Sequence, residues 1–313
     1  MPNTFLKADN IVATALELLS RSIVLPRLVT QYGLADFKGA KDDTITIRVP
    51  ALLTAREYEW RTRAQPIVMD ELEELGVPLA LDKHPYSAVA ITDEELTLDI
   101  TDFAKQVLQP QIDAVAARLE EYIATAMAGA DTDHADIAYA EDPDAAGFYN
   151  ALVDARAALN AARIPMAGRV VVVGSAVEAA ALKENAFRDV SQSGSPGALR
   201  DATLGQVAGF TVVSSSSVDD DFAMAFHKSA FAFGNVAPAV PAGAAFGSSQ
   251  SKDGLALRWI RDYDTMYARD RSFVSSFAGA ASVDDANVTD GSGETTLTGK
   301  NRRAVKIAFT GAS

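Results

Sequence analysis

Thr101–Ala130, TDFAKQVLQPQIDAVAARLEEYIATAMAGA, constrains this chain more than any other stretch. Phe103, Val107, Leu108, Ile112, Val115, Leu119, Tyr122, Ile123 and Met127 recur mostly at steps of three and four, which draws one apolar stripe along a helix. Lys105, Gln109, Asp113, Arg118 and Glu121 take the opposite face. Thr101 or Asp102 can cap the start, and Gly129 stands where the helix should stop. Pro110 either kinks the helix or sits in its first turn behind a short lead-in piece. Before this helix the sequence reads as paired strands. After it comes a compact α/β section, then strands again.

The paired strands begin at Thr44–Pro50, where Ile45, Ile47 and Val49 alternate with Thr44, Thr46 and Arg48. Arg56–Arg63 alternates too, with Tyr58, Trp60 and Thr62 on one face and Glu57, Glu59, Arg61 and Arg63 on the other. Asp70–Leu75 is acidic, and Val77–Ile91 returns as extended chain that Pro78 and Pro85 confine to an edge or an irregular ribbon. Glu95–Ile100 reads as a last strand. A two-stranded projection of this length is marginal in water and needs a surface to lie on. Upstream, residues 8–20 form a short amphipathic helix with Ile11, Leu16 and Leu19 among its apolar positions, followed by more apolar residues up to Val29. That surface either docks on its own domain or meets a neighbouring subunit.

Downstream, Asp131–Asp144 reads as an acidic loop, and Ala145–Ala162 as a helix with Phe148, Leu152, Ala155 and Leu159 in register. Gly168–Gly174, GRVVVVG, is a continuous apolar strand of the kind buried on both faces. Ser175–Phe187 follows as a helix with Ser175 as its cap, then a flexible loop at Asp189–Ala198. Strands are expected at Phe210–Val213, within Met224–Phe233, and at Leu255–Ile260, Ser272–Phe277 and Arg303–Phe309. Ala237–Ser249 is a connector, and Asp284–Lys300 a linker or mobile loop.

The 313 residues carry a net charge of −14, which repels nucleic-acid phosphate and argues against binding by bulk electrostatics. It does not argue against a protein that encloses DNA without gripping it. The absence of cysteine removes disulfides, thiolate nucleophiles and cysteine-ligated metals. No signal-like N-terminus and no apolar run near the ~20 residues of a membrane span is present, so a cytoplasm-like compartment is expected.

Candidate chemistry is sparse. Gly174–Ser175 opens a helix after a strand and can attract a phosphate, but the chain lacks both G-x-G-x-x-G and a Walker lysine. His84, His134 and His227 lie far apart and match no zinc spacing. Asp131, Asp133, Asp136, Asp142 and Asp144 crowd one loop, yet Ala135 and Asp136 break the EF-hand pattern. The serines at 214–217 have no nucleophile elbow. No catalytic residue, cofactor or metal is expected.

The order of these parts, together with AFHKSAFAFG at Ala225–Gly234 and LRWIRDYD at Leu257–Asp264, resembles the major capsid proteins of tailed bacteriophages, in the branch similar to the P22-type coat protein. The resemblance spans roughly Asn3–Ala280 and implies an α+β, Hong Kong 97-like capsid fold. Residues 1–40 are then an N-terminal arm and 41–92 an extended β-hairpin loop. Residues 93–144 hold the long spine helix in a peripheral domain, and 145–260 an α/β axial domain. Residues 261–313 are return strands of the peripheral domain and a C-terminal tail. The resemblance implies self-assembly of pentamers and hexamers into an icosahedral shell around double-stranded DNA, in the virion, after assembly in the host cytoplasm. It also implies a separate scaffolding protein, because no fused segment precedes the arm, as well as a portal and decoration proteins as partners. Glu57, Glu59, Trp60, Arg61, Arg63, Asp70, Glu71, Glu73, Glu74, Ile11 and Leu16 are the expected intersubunit contacts. The alternatives are an encapsulin-like cellular compartment and a cytoplasmic α/β enzyme holding a nucleotide at Gly174–Ser175.

Overall fold

A computed structural model describes residues 8–39, 43–49, 55, 57–61, 63, 66–67, 69, 75–95, 102–140, 147–184, 205–244, 246–252, 254–288, 295–297 and 300–310. The apolar stripe becomes α4, Gln109–Ala128, behind a π-helical turn at Ala104–Leu108. Pro110 falls in the first turn of α4, and the wide turn before it gives the proline ring room where an α-turn would bring a carbonyl against it. Asp102 caps the lead-in: its Oδ1 accepts from the N–H groups of Ala104 and Lys105, at 3.1 and 3.3 Å. Ile112, Val115, Leu119, Ile123 and Met127 are buried, as the spacing requires.

Two sheets use that helix. The larger packs on α5 (Gly147–Ala161) and joins β5 (Ile137–Ala140), β6 (Arg169–Val173), β7 (Gln206–Val207), β8 (Phe210–Ser214), β9 (Ala223–His227) and β17 (Ala304–Thr310). Its order is β5-β17-β9-β6-β8-β7. Every residue of β6 is buried because both faces of this sheet are covered. Val171 and Val173 pack on Phe148 and Leu152 of α5 and on Val177 of α6 (Ser175–Lys183). Val170 and Val172 turn the other way, into the core shared with Ile123 and Met127 of α4.

The second sheet is antiparallel, β11-β12-β13-β4, from Phe246–Lys252, Leu255–Asp264, Arg269–Ser275 and Tyr86–Thr92. Leu255, Leu257, Trp259 and Val274 share the same core with α4 and with α1 (Ala8–Ser22). A small sheet, β1-β10-β14 (Thr30–Tyr32, Phe231–Val236, Phe277–Ser282), sits between them. The hairpin of β2 (Thr44–Val49) and β3 (Leu75–Ala80) lies on it, with Val49, Val77 and Leu79 packed against Ala232, Val236 and Phe37. Gly279 of β14 passes so close that a Cβ there would stand 1.9 Å from the Ala80 carbonyl oxygen. The projection thus has its support inside its own chain.

Several expectations are corrected. Asp131–Asp144 contains β5, which pairs in parallel with β17. Met224–Phe233 splits into β9 and β10, which belong to different sheets and are joined by a tight turn at Lys228–Ala230. Residues 246–249 of the supposed connector begin β11, and Ser272–Phe277 divides between β13 and β14. Arg303–Phe309 is a strand as expected: β17 runs Ala304–Thr310, with Val305 and Ile307 buried in the larger sheet between β5 and β9. Arg56–Arg63 is not a strand where described; the Arg63 N–H donates to the Glu59 carbonyl in a turn. Thr92 and Glu95 form a reciprocal capping box that opens a helical turn, where a strand was expected from Glu95. Residues 96–100 and the loop at 189–198 lie outside the described residues.

Candidate intersubunit surfaces

The hairpin carries an exposed tip. Among the expected contact residues, Glu57, Glu59, Trp60, Arg61 and Arg63 are all exposed, with Trp60 at 66% and the Arg61 guanidinium 5.1 Å from its ring. Ile67 and Met69 join them at 70% and 89% exposed. Three large apolar side chains thus stand in water next to charges of both signs. Asp70, Glu71, Glu73 and Glu74 lie outside the described residues.

Ile11 and Leu16 do not belong to that surface. Leu16 is 3% exposed, and Ile11 is half-buried against the chain's own core. The amphipathic face of α1 is satisfied by β11, β12 and α4, which answers the choice between its own domain and a neighbour for these residues.

Two buried polar side chains on α4 were missed by the sequence reading. Glu120 is 7% exposed and accepts from the backbone N–H groups of Val24 and Leu25, at the start of the short helix α2 (Leu25–Leu28). Its other oxygen accepts from Ser217 Oγ, 2.6 Å away, in the loop after β8. One carboxylate therefore ties the N-terminal segment, the long helix and the lobe together. Gln111 donates to the carbonyls of Ser87 and Ser272 and accepts from Ser272 Oγ, which in turn accepts from the indole N–H of Trp259. The signal for Glu120 was present in the row Ala116, Glu120, Ala124: two small residues flank it at one-turn spacing, where another element approaches closely.

The RDYD segment forms a charge ladder. Asp262 faces Arg271 and Asp264 faces Arg269 across β12 and β13, and Arg261 pairs diagonally with Asp270. In the AFHKSAFAFG segment His227 Nδ1 accepts from the Ser229 N–H and steers the chain from β9 into β10. Burial pushes His227 below the usual histidine range, and Arg303 and Arg169 act in the same direction, against a backbone hydrogen bond at Ala167.

The proposed phosphate seat is filled. The Asp220 carbonyl accepts from the N–H groups of Ala176 and Val177, at 3.0 and 3.3 Å. A Cβ on Gly174 would meet the Asp219 carbonyl oxygen at 2.1 Å, so the loop presses directly on this turn. Ser175 lies inside α6, not at its cap; Gly174 is the cap residue, and Ser175 Oγ donates to the Asp220 carboxylate. His84 and His227 lie in different sheets' surroundings, and no group of metal-ligating side chains occurs among the described residues.

Comparisons agree with this architecture. The family model described as phage capsid protein matches residues 76–296, more than half of the chain. A chain from Mycobacterium phage Che8 superposes with a TM-score of 0.64 at 19% identity, covering 91% of this chain and 90% of that one. The capsid of cyanophage P-SCSP1u gives 0.63 at 12% identity, over 100% and 91%. The virus-like particle of Pyrococcus furiosus gives 0.52 at 10% identity, over 96% and 98%. The curated proteins hold no match. The chain belongs to the phage capsid protein family and is a major capsid protein of the Hong Kong 97-like fold.

Proposed function

We propose that copies of this chain close, as pentamers and hexamers, into the icosahedral shell that encloses the double-stranded DNA of a tailed bacteriophage. The observation that carries this is the hairpin: its base is anchored on its own core while its tip holds Trp60, Ile67 and Met69 in water beside Arg61 and Arg63. Such a tip gains by burial on another copy. The shell is assembled in the host cytoplasm on a separate scaffolding protein, and incorporates a portal and decoration proteins. The chain acts as a structural subunit and not as an enzyme; the occupied N-terminus of α6 supports this. The encapsulin-like alternative has less support, since the family model that matches the chain is that of a phage capsid protein.

Negative-stain imaging of the expressed protein tests the reading. Closed shells, or aberrant polymers without a scaffold, are expected; a stable monomer at micromolar concentration would overturn it. R61E/R63E should fold as the parent does but assemble poorly, because about 0–1 kcal/mol per exposed pair is repeated at every contact. Unchanged particles at low and raised salt would remove these two arginines from the contact.

A further inference from the structure

The second sheet has two edges, and the chain treats them differently. β11 is flanked by α1, which packs along it. β4, Tyr86–Thr92, pairs with β13 on one side and with no strand on the other among the described residues. An open row of backbone N–H and C=O groups recruits other chains, so natural edges are commonly blunted by a lysine, a proline, a bulge or a covering element. β4 reads YSAVAIT, with no charge and no proline, and its register with β13 is unbroken. Tyr86, Ala88, Val89, Ala90 and Thr92 are exposed, Tyr86 at 65% and Val89 at 38%.

The register identifies the free groups. The Ser276 N–H donates to the Pro85 carbonyl, so these two residues face each other as a hydrogen-bonded pair. Such pairs alternate along an antiparallel ladder, and Ser87, Val89 and Ile91 therefore also turn their backbone groups toward β13. Tyr86, Ala88, Ala90 and Thr92 turn theirs outward. The Thr92 N–H is taken by the Glu95 carboxylate, at 2.9 Å. Tyr86, Ala88 and Ala90 keep both groups without a backbone partner among the described residues.

That row is self-complementary about its centre. With Ala88 on a two-fold axis, an antiparallel second copy sets Tyr86 opposite the partner's Ala90, and each outward N–H and C=O of the three residues meets its counterpart. The Tyr86 ring then lies over a small residue, and Val89 falls opposite the partner's Ser87 on the other face. Charge favours the same orientation. A parallel pairing would set Asp93, Glu94 and Glu95 of both copies side by side, whereas the antiparallel one brings them to Asp82, Lys83 and His84, where Lys83 balances Asp82.

We propose that β4 of one copy pairs antiparallel with β4 of a second copy across a two-fold axis, joining two four-stranded sheets into one of eight strands. The contact is isologous, the same strand serving both sides. The inference rests on the shell reading above for its supply of copies, and adds to it a contact separate from the hairpin tip.

Two cysteine variants read the register, because the chain has no cysteine of its own. In the proposed pairing the two copies of residue 88 have Cα atoms about 5.5 Å apart, within the range a disulfide bridges. The two copies of residue 90 stand four residues apart along the strands, about 14 Å. Mild oxidation of purified Ala88→Cys should give a disulfide-linked dimer on a denaturing gel, at least about tenfold more than Ala90→Cys gives. Ala88→Pro tests the edge itself. It removes an outward N–H, which an edge strand tolerates, so the subunit should keep its circular dichroism and unfolding midpoint. Its particle yield should fall by about tenfold or more, because the ring blocks the pairing. If Ala88→Pro unfolds the chain, Ala88→Lys replaces it and sets like charges together on the axis. Equal cross-linking of the two cysteine variants, or particles from the folded edge variant at parental yield, would overturn the proposal. Impaired particles without a cross-link at residue 88 would assign the edge to a different segment and overturn it too. A parent that forms no particles refutes the shell reading itself, and cross-linking of the purified subunits then still decides the strand contact.

Discussion

Glu120→Ala probes the joint that holds three parts of the subunit together. The carboxylate accepts two backbone N–H groups and one hydroxyl, and all three donors lose their acceptor in the variant. Hydrogen bonds to a charged group contribute about 1.5–3 kcal/mol each, so the three sum to roughly 4.5–9 kcal/mol. Against this stands the cost of keeping a carboxylate out of water, several kcal/mol after relaxation. The expected net loss is about 3 kcal/mol, near the lower bound for removing one partner of a buried charged set. Glu120→Gln keeps one acceptor oxygen, and Ser217 can turn its hydroxyl to accept from the new amide, so about 1 kcal/mol is expected there. Ser217→Ala should cost a similar amount, and the Glu120→Ala/Ser217→Ala pair should be less than additive by about 1 kcal/mol. Denaturant unfolding of dissociated subunits measures these values. Limited proteolysis should also cut near Val24 first in Glu120→Ala. A variant within about 0.5 kcal/mol of the parent, with an unchanged digestion pattern, would show that the joint holds nothing.

Leu119 is fully buried mid-helix, so Leu119→Ala should cost about 2–5 kcal/mol in the same unfolding assay, and Leu119→Asp should yield inclusion bodies. His227 is held neutral by its surroundings, so the unfolded chain takes up that proton first, near pH 6.5. The stability it contributes is complete above that pH and is lost as pH falls through the lower folded value. His227→Asn, which keeps an acceptor for the Ser229 N–H, should therefore flatten the fall in unfolding free energy below about pH 6.5, only in part because His84 is shifted the same way. Ser175→Ala removes an exposed hydroxyl that caps nothing, so a change within about 0.5 kcal/mol is expected. Calorimetry with ATP and with NAD should show no micromolar binding in either form.

The elements that a local pattern specifies were legible in the sequence. The stripe of α4, the alternation of β2, the uniform valines of β6 and the register of α5 each announce a period and a degree of burial. What failed depends on partners far along the chain. β14, FAGAAS, has no β-branched residue and is a strand because β10 pairs with it; its small residues let β3 pass close by. β5 hides in an acidic stretch because only four residues pair, and they pair with a strand some 170 positions later. The exposed residues of the hairpin tip were legible as charges, but their alternation misled: a turn at Trp60 and Arg61 replaces the expected strand. Ile11 and Leu16 show that an apolar helix near a terminus says how much surface must be covered and not by which chain.

The placement of β17 has a consequence in time. This strand lies between β5 and β9, yet on the ribosome it emerges after every other strand of its sheet. From the synthesis of β9 until that of β17, both neighbours have an open edge facing an empty slot. At about 5–20 residues per second the interval is roughly 4–15 s. The lobe therefore cannot complete its core on the nascent chain until this strand has emerged. A subunit cut short before Ala304 should resemble the waiting intermediate: helices largely formed, two unpaired strand edges, and a strong tendency to aggregate. Shell assembly would then draw only on chains whose synthesis has reached this strand, a timing check that needs no additional factor.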